Sequence, residues 1–205
     1  MDNNDQLLLD NQLFPVVNLF KYLFQKKYAF LFPYEGFERA GFCNRYIIVG
    51  GNGLVRLSVP LAGGRNQKGN FKDVHISYSD NWQVKHWRTL ESCYNKSPFF
   101  EHYRNDVENF FTSKQKYLFD WNLSILFWLK NVLKFRAEIE IVGTVPEGIE
   151  DVRKKWSPRN FQNDETVMRY PQVFEDKVGF KANLSILDML FNLGPQASEF
   201  LKNLS

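Results

Sequence analysis

The fold is decided by QLLLDNQLFPVVNLFKYLFQKKYAFLF, residues 6–32. Its two ends, QLLLD at 6–10 and YAFLF at 28–32, are short apolar runs typical of buried β-strands. Between them, apolar residues recur at helical spacing over 14–27, with Pro15 near the first turn and two lysines at the carboxyl end. Strand, helix and strand over about thirty residues predict a right-handed βαβ unit and a partly parallel sheet.

The next region, NRYIIVGGNGLVRLSVPL at 44–61, has the pattern of a hairpin. Two β-rich runs flank the glycines, and the pair Asn52 and Gly53 supplies the positive φ angles that a tight turn needs. A glycine-rich phosphate loop is the alternative interpretation. It is less favoured, because such a loop leads into a helix and this one leads into a second strand.

Helices dominate the second half of the chain. Helical spacing predicts one helix over 81–97, another after Pro98, and a third over about 115–135, after which AEIEIV at 137–142 returns to the sheet. The sequence therefore predicts a single α/β domain over 1–205, with a mixed β-sheet, a βαβ start, a β-hairpin and a mostly helical second half.

Residues 143–178 break this periodicity with prolines and polar residues. Two aromatic anchors, Trp156 and Phe161, favour an ordered segment that packs across the sheet near Asn44 and Arg45. Its basic residues would then line the rim of a cleft and attract an anionic substrate. A solvated loop whose charges serve only solubility is the equal alternative.

Charge and composition restrict the functional class. The 205 residues are 44% hydrophobic and 17% aromatic, which suits one sizeable core. A net charge of +3 is too small to indicate nucleic-acid binding. The richest apolar run, 123–133, is interrupted by Lys130 and Asn131 and is too short to span a bilayer. With no signal-peptide pattern at the amino terminus, we expect a soluble cytoplasmic protein with no membrane span.

His86 is the first candidate for chemistry, because the predicted 81–97 helix places it on or beside its inward stripe. Tyr94 lies two turns further on the same face, about 12 Å along the helix, so both side chains could line one pocket. A structural histidine and a catalytic base both remain open. No metal and no cofactor are predicted, because no second histidine stands at ligand spacing and neither Cys43 nor Cys93 belongs to a CxxC motif.

A polar stripe marks the last apolar helical segment. Ser185, Asp188 and Asn192 are spaced three and four residues apart within LSILDMLFNLG. Because polar residues on one side of an apolar helix usually face water, this stripe is predicted to be the solvent face of the helix.

Several stretches resemble the WbqC-like protein family. They are NRYII followed by LSVPL, then NWQVKHWRTLESCYNKSPFF, YPQVF and NLSILDMLFNLGP, and the resemblance runs from about Leu7 to Pro195. The family's usual opening is only partly kept, since Phe14, Pro15 and Phe20 are present but a Gly-Tyr pair is not.

The resemblance implies a process, the biosynthesis of bacterial surface polysaccharides of the O-antigen type. It also implies site roles for residues inside the shared motifs: His86 and Tyr94 as catalytic candidates, and Asn44, Arg45, Tyr170 and Gln172 as substrate-binding candidates. An arginine at the start of a strand can bind a phosphate or carboxylate through two parallel hydrogen bonds.

Two functional hypotheses follow. The first is an enzyme that acts on a nucleotide-linked or amino sugar, with acyl or aminoacyl transfer as the reaction, and that binds its anionic ligand through Arg45, Arg65 and Lys68. The second is a non-catalytic ligand-binding or assembly protein of the same pathway, which the absence of a nucleophile–base motif favours. Convergence of His86, Arg45 and Tyr94 on one cleft would support the enzyme, and their separation would support the binding protein.

Overall fold

A computed structural model describes residues 5–38, 40–64, 67–164 and 166–203. Its strands are β1 (Gln6–Leu8), β2 (Tyr28–Leu31), β3 (Arg45–Gly50), β4 (Gly53–Ser58), β5 (Glu138–Ile141) and β6 (Glu150–Asp151). Its α-helices are α1 (Val17–Gln25), α2 (Trp82–Tyr94), α3 (Phe100–Thr112), α4 (Leu118–Leu133), α5 (Glu175–Val178), α6 (Ile186–Leu193) and α7 (Gln196–Asn203).

Four of the strands form a parallel sheet in the order β5-β2-β1-β6. Strand β1 pairs in parallel with both β2 and β6, and β5 adds in parallel to the far side of β2. Helix α1 connects β1 to β2, so the predicted βαβ start is confirmed, as is the return of 137–142 to the sheet. Since all four strands run the same way, their carboxyl ends lie at one edge, where the loops that follow them gather.

The hairpin forms a second sheet. Strands β3 and β4 pair in antiparallel register from Arg45 opposite Ser58 to Gly50 opposite Gly53. Gly53 has a φ of 111°, as predicted for the end of the turn, whereas Asn52 does not have the positive φ that was predicted for it. The α/β class is therefore confirmed. In the described ranges, the parallel and antiparallel parts of the predicted mixed arrangement are two separate sheets.

One hydrophobic core joins both sheets and the helices, with members from Leu7 to Leu201. Near its centre the ring of Phe14 lies 5.1 Å from that of Tyr46 and 6.4 Å from that of Trp121. These aromatics come from the β1–α1 connection, from β3 and from α4. The core is thus built from non-local contacts between elements that are distant in the chain.

Helix α6 is held between the hairpin and α1. The backbone N–H of Ser185, just before α6, donates to the carbonyl of Ile47 in β3 at 2.8 Å. The N–H of Val17 in α1 donates to the carbonyl of Leu184 at 2.9 Å. Because these bonds fix the entry of α6 on both sides, the helix is enclosed rather than laid on the surface. None of the helices in the described ranges is long and apolar enough to cross a bilayer.

The 143–178 segment is mostly irregular, with β6 and the single-turn α5 as its regular elements. Both expected anchors are buried, Trp156 at 2% and Phe161 at 3% exposure. Their rings pack edge-on, Trp156 against Tyr22 of α1 at 6.0 Å and Phe161 against Phe42 at 5.9 Å. The segment therefore covers α1 and the carboxyl side of the parallel sheet.

This placement differs from the one expected near Asn44 and Arg45. Arg153 and Lys154 stand at the carboxyl end of β6 and form ion pairs with nearby carboxylates. The cavity lined by Asn44 and Arg45 is a separate one, to which the described part of 143–178 contributes no lining residue. The physical reason is the short parallel pairing of β6 with β1, which directs the segment towards the loop after β1.

Candidate functional site

A cavity of about 200 Å³ lies at the carboxyl edge of the parallel sheet. Parallel α/β sheets commonly bind ligands at this edge, because several loops and their polar groups meet there. The loops after β1, β2 and β6 all contribute, together with the 3-10 turn at 71–73. The principal lining residues are Asp10, Glu35, Phe37, Glu38, Cys43, Phe71, Lys154 and Trp156.

Asp10 follows β1 and is a half-buried acid that lines this cavity. Burial raises its pKa to about 6, and repulsion from Glu35 adds to the shift. The backbone N–H of Lys154 donates to Asp10 Oδ2 at 2.8 Å and partly offsets it. Lys154 has a φ of 61°, a left-handed conformation that is uncommon for a lysine and that orients this N–H. Asp10 is therefore mostly ionised at neutral pH yet able to accept a proton.

Ion pairs hold the loop after β6 beside the cavity. Arg153 Nη1 lies 3.0 Å from Glu35 Oε2, and its Nη2 lies 2.7 Å from Asp151 Oδ2. Burial nevertheless raises the pKa of Glu35, so Arg153 does not fully offset the lost hydration of that carboxyl. Two carboxyl groups with raised pKa values thus occupy one small space.

Cys43 places a thiol on the same cavity wall. Burial raises the pKa of Cys43 well above its usual value, and the charges of Asp10, Glu35 and Glu38 raise it further. Since the thiolate is the reactive form, Cys43 is a poor nucleophile at neutral pH. The cavity therefore offers a base rather than a nucleophile. Among the residues that the structure describes, no group of three or more His, Cys, Asp or Glu side chains is arranged to hold a metal ion.

His86 lies away from this cavity, inside an aromatic cage. It is 5% exposed, and its ring centroid is 5.2 Å from Trp82, 5.6 Å from Tyr46 and 6.0 Å from Phe111. Its Nδ1 lies 3.3 Å from the phenol oxygen of Tyr46. Burial lowers the pKa of His86 to about 4, so the imidazole is neutral at pH 7. This geometry suits a structural core histidine whose Nδ1 has a hydrogen-bonding partner.

Replacing His86 with asparagine should lower the free energy of unfolding by about 1–3 kcal/mol, because the buried Tyr46 phenol loses its partner. Urea denaturation would measure the change, with His102→Asn, an exposed histidine of α3, as the matched control. A variant that keeps wild-type stability but loses all turnover would instead identify His86 as the general base.

Tyr94, Tyr170 and Gln172 converge on Asp188, an acid of α6 with no exposed surface. Asp188 Oδ1 accepts the phenol O–H of Tyr94 at 2.6 Å. Asp188 Oδ2 accepts the phenol O–H of Tyr170 at 2.8 Å and the side-chain amide of Gln172 at 3.0 Å. Burial raises the pKa of Asp188 to about 6, and these three hydrogen bonds limit the rise. Three predicted site residues therefore form one buried polar cluster.

The polar stripe of α6 is accordingly not a solvent face, and that prediction is wrong. Ser185 is 1% exposed and its hydroxyl donates to the carbonyl of Phe14 at 3.0 Å. The side-chain amide of Asn192 donates to the carbonyl of Asp188 at 2.7 Å. The stripe is polar because it meets polar partners in the interior, which satisfy the same groups that water would.

Asn44 and Arg45 line a second cavity, of about 380 Å³, beside β4. The side-chain amide of Asn44 donates to the carbonyl of Val59 at 2.9 Å, and Arg45 Nη2 lies 3.5 Å from Asn44 Oδ1. Arg65 lies outside the described residues. Since Asn44 directly follows Cys43, the second cavity and the Asp10 cavity lie beside consecutive residues of one segment.

The predicted site residues thus fall in three places, and their catalytic and binding roles stay predictions. Tyr94, Tyr170 and Gln172 meet at Asp188; His86 lies in the aromatic cage; Asn44 and Arg45 line the second cavity. The residues that sequence reasoning missed are Asp10 and Glu35. Asp10 had a usable signal, since an acid directly after the first strand of a βαβ unit stands at the binding edge of the sheet.

Comparison with known families shows what this chain is related to. The model of the WbqC-like protein family matches residues 11–156, more than half of the 205 residues. This chain belongs to the WbqC-like family. The match includes most of the lining of the Asp10 cavity but begins one residue after Asp10 itself, and Tyr170, Gln172 and Asp188 of this WbqC-like protein lie beyond its other end. No curated protein and no solved structure matches the chain.

Proposed function

We propose that this WbqC-like protein is an enzyme of bacterial surface-polysaccharide biosynthesis, of the O-antigen type, that acts on a nucleotide-linked or amino sugar. The observation that carries the proposal is Asp10, an acid with a pKa of about 6 in a cavity at the carboxyl edge of a parallel sheet. A base is most effective when its pKa lies near the working pH. The family relationship supports the process, and the cavity supports a reaction that begins by removing a proton.

The reaction that fits this site is acyl or aminoacyl transfer to the sugar. The sugar nitrogen or oxygen attacks the acyl carbon of an activated donor such as a thioester. A new bond to that carbon forms while the bond to the leaving group breaks. Asp10 takes the proton from the attacking atom and can return it to the leaving group. Because Cys43 is a protonated thiol, transfer proceeds directly to the sugar without an acyl-enzyme on this residue.

Arg45 supplies the proposed contact for a nucleotide-linked sugar. The cavity that Arg45 shares with Asn44 is separate from the Asp10 cavity, but Asn44 directly follows Cys43 of the Asp10 cavity in the chain, and a guanidinium is suited to bind phosphate. A substrate that bridges the two cavities would place its sugar beside Asp10 and its diphosphate beside Arg45.

The second candidate is a non-catalytic ligand-binding or assembly protein of the same pathway. One specific observation favours it: His86, Arg45 and Tyr94 do not converge on one cleft. Under this alternative, the Asp10 cavity binds a small molecule without changing it.

A screen of nucleoside diphosphate sugars by thermal shift tests the proposal. A ligand present at a hundredfold its dissociation constant should stabilise the fold by about 2.7 kcal/mol. Ligands that bind are then incubated with acyl-thioester and aminoacyl donors, and mass spectrometry monitors the acylated sugar. Binding without product from any donor would support the second candidate, and no stabilisation by any sugar of the panel would contradict both.

A further inference from the structure

We infer that the Asp10 cavity selects a protonated primary amine carried on a six-membered ring, and that the carboxyl groups of Asp10 and Glu35 form its ammonium site. The inference rests on the proposed function only for the location of the site. The inference restricts the ligand class from amino or neutral sugars to amines. It applies whether or not the protein is catalytic.

The charged groups around the cavity leave Asp10 with little compensating positive charge. The Asp10 carboxyl accepts a hydrogen bond from the backbone N–H of Lys154, a group that carries no net charge. The Lys154 ammonium is turned to Glu38, 2.5 Å from its Oε1. The nearest cationic influence on Asp10 is Arg153, which lowers the pKa of Asp10 but also pairs with Glu35 and Asp151, so that one guanidinium is shared among three carboxyl groups.

The second carboxyl group is only partly neutralised. Glu35 shares Arg153 with Asp151, and the guanidinium lies closer to Asp151, at 2.7 Å, than to Glu35, at 3.0 Å. Asp10 and Glu35 also repel one another. A cation placed between these two carboxyl groups would relieve that repulsion and replace the water that burial has removed.

The shape and the walls of the cavity select the rest of the ligand. Its volume of about 200 Å³ corresponds to roughly seven water molecules, the room that one substituted six-membered ring needs. Phe37, Phe71 and Trp156 supply apolar walls, and the space beside Gly36 and Gly41 is open. Apolar ring faces can therefore pack on the aromatics while the ammonium group meets the carboxyl groups.

A neutral alcohol of the same size would fill the same space without offsetting the charge. A hydrogen bond between ionised partners is about twice as strong as one between neutral groups. The surplus of carboxylate over cation therefore discriminates by charge rather than by size. A divalent metal is the other cation to consider, but the described part of the chain holds no three-residue ligand set.

Cyclohexylamine and cyclohexanol are matched probes for this inference, since they differ in the amino and hydroxyl groups alone. Isothermal titration at pH 7.5 should show the amine binding at least about tenfold more tightly than the alcohol. Its affinity should fall as the pH is lowered through about 6, because protonation removes the Asp10 charge. Asp10→Asn and Glu35→Gln should each lower amine affinity about tenfold, whereas Glu147→Gln, an exposed loop acid, should leave it unchanged.

Equal affinity for the two probes would overturn the inference, as would displacement of the amine by magnesium or calcium at equal concentration. Thermal melts of each variant confirm that a lost affinity is not a lost fold. The outcome is separable from that of the proposed function. Amine-selective binding with no acylated product would support this inference and contradict the proposed enzymatic activity. Acylation of hydroxyl sugars without amine selectivity would support the enzymatic activity and contradict this inference.

Discussion

Replacing Asp10 with asparagine should lower kcat/KM for acyl transfer by about 10²–10⁴-fold, the usual contribution of a general base. Asparagine keeps the shape and can still accept the Lys154 N–H, but it cannot take a proton. In the wild-type protein, kcat/KM should rise with pH through about 6 as Asp10 ionises. The variant should lack this rise, and a pH–rate profile from 5 to 8 would measure both effects.

The same substitution should not reduce stability at neutral pH. Because the folded-state pKa of Asp10 is raised from 3.8 to about 6, its contribution to stability is fully present below 3.8 and is lost as the pH rises through about 6. An asparagine avoids that loss. Glu147→Gln is the control for both measurements. Activity within tenfold of wild type would show that Asp10 is not the base, and a lower melting temperature at neutral pH would contradict the predicted effect on stability.

Replacing Asp188 with alanine should lower the free energy of unfolding by about 4 kcal/mol. Tyr94, Tyr170 and Gln172 would each keep a buried donor without its acceptor, at a cost of about 1–3 kcal/mol for each unsatisfied group. Alanine also removes the buried carboxylate charge, which is itself unfavourable. The expected loss of stability is therefore smaller than the full cost of three unsatisfied donors. Chemical denaturation would measure it.

Milder substitutions keep this prediction testable if the alanine variant does not fold. Tyr94→Phe and Tyr170→Phe each remove one donor to Asp188 and should cost about 1.5–3 kcal/mol. The carboxylate pKa should rise further in both, since each hydrogen bond lowers it. Asp176→Ala, at an exposed position of α5, is the control. Tyrosine variants as stable as wild type would mean that the cluster does not anchor α6.

Asp188 also predicts a pH dependence of stability. Its pKa is raised from 3.8 to about 6 in the folded state, so the native protein binds more protons than the unfolded chain between these values. Stability should therefore fall as the pH rises from about 4 to 6. The alanine variant should lose this part of the slope.

The first fifty or so residues show how far local patterns reach. The βαβ unit was predictable because strand and helix periodicities differ and each is visible within ten residues. The hairpin was predictable because its turn demands residues that accept positive φ, which Gly53 supplies with a φ of 111°. Both features depend on neighbours in the chain, and both are confirmed.

The α6 stripe shows where such patterns stop. Its spacing predicted a polar face, and the face is polar, but it is buried at 1% exposure for Ser185 and 0% for Asp188. Water and a set of interior donors satisfy a carboxylate in the same chemical way. A pattern within α6 cannot distinguish them, because the deciding partners, Tyr94 and Tyr170, are 94 and 18 residues away.

By itself the sequence determined the class of the fold, its βαβ start, its hairpin and the helices that follow, because periodicity and turn geometry are local properties. Only the tertiary structure decided which side chains share a space. Asp10, Glu35 and Lys154 meet because three parallel strands end at one edge of the sheet. His86 is enclosed by aromatics from β3, α2 and α3. Burial sets the local dielectric and therefore the pKa, and burial is a property of the packed chain.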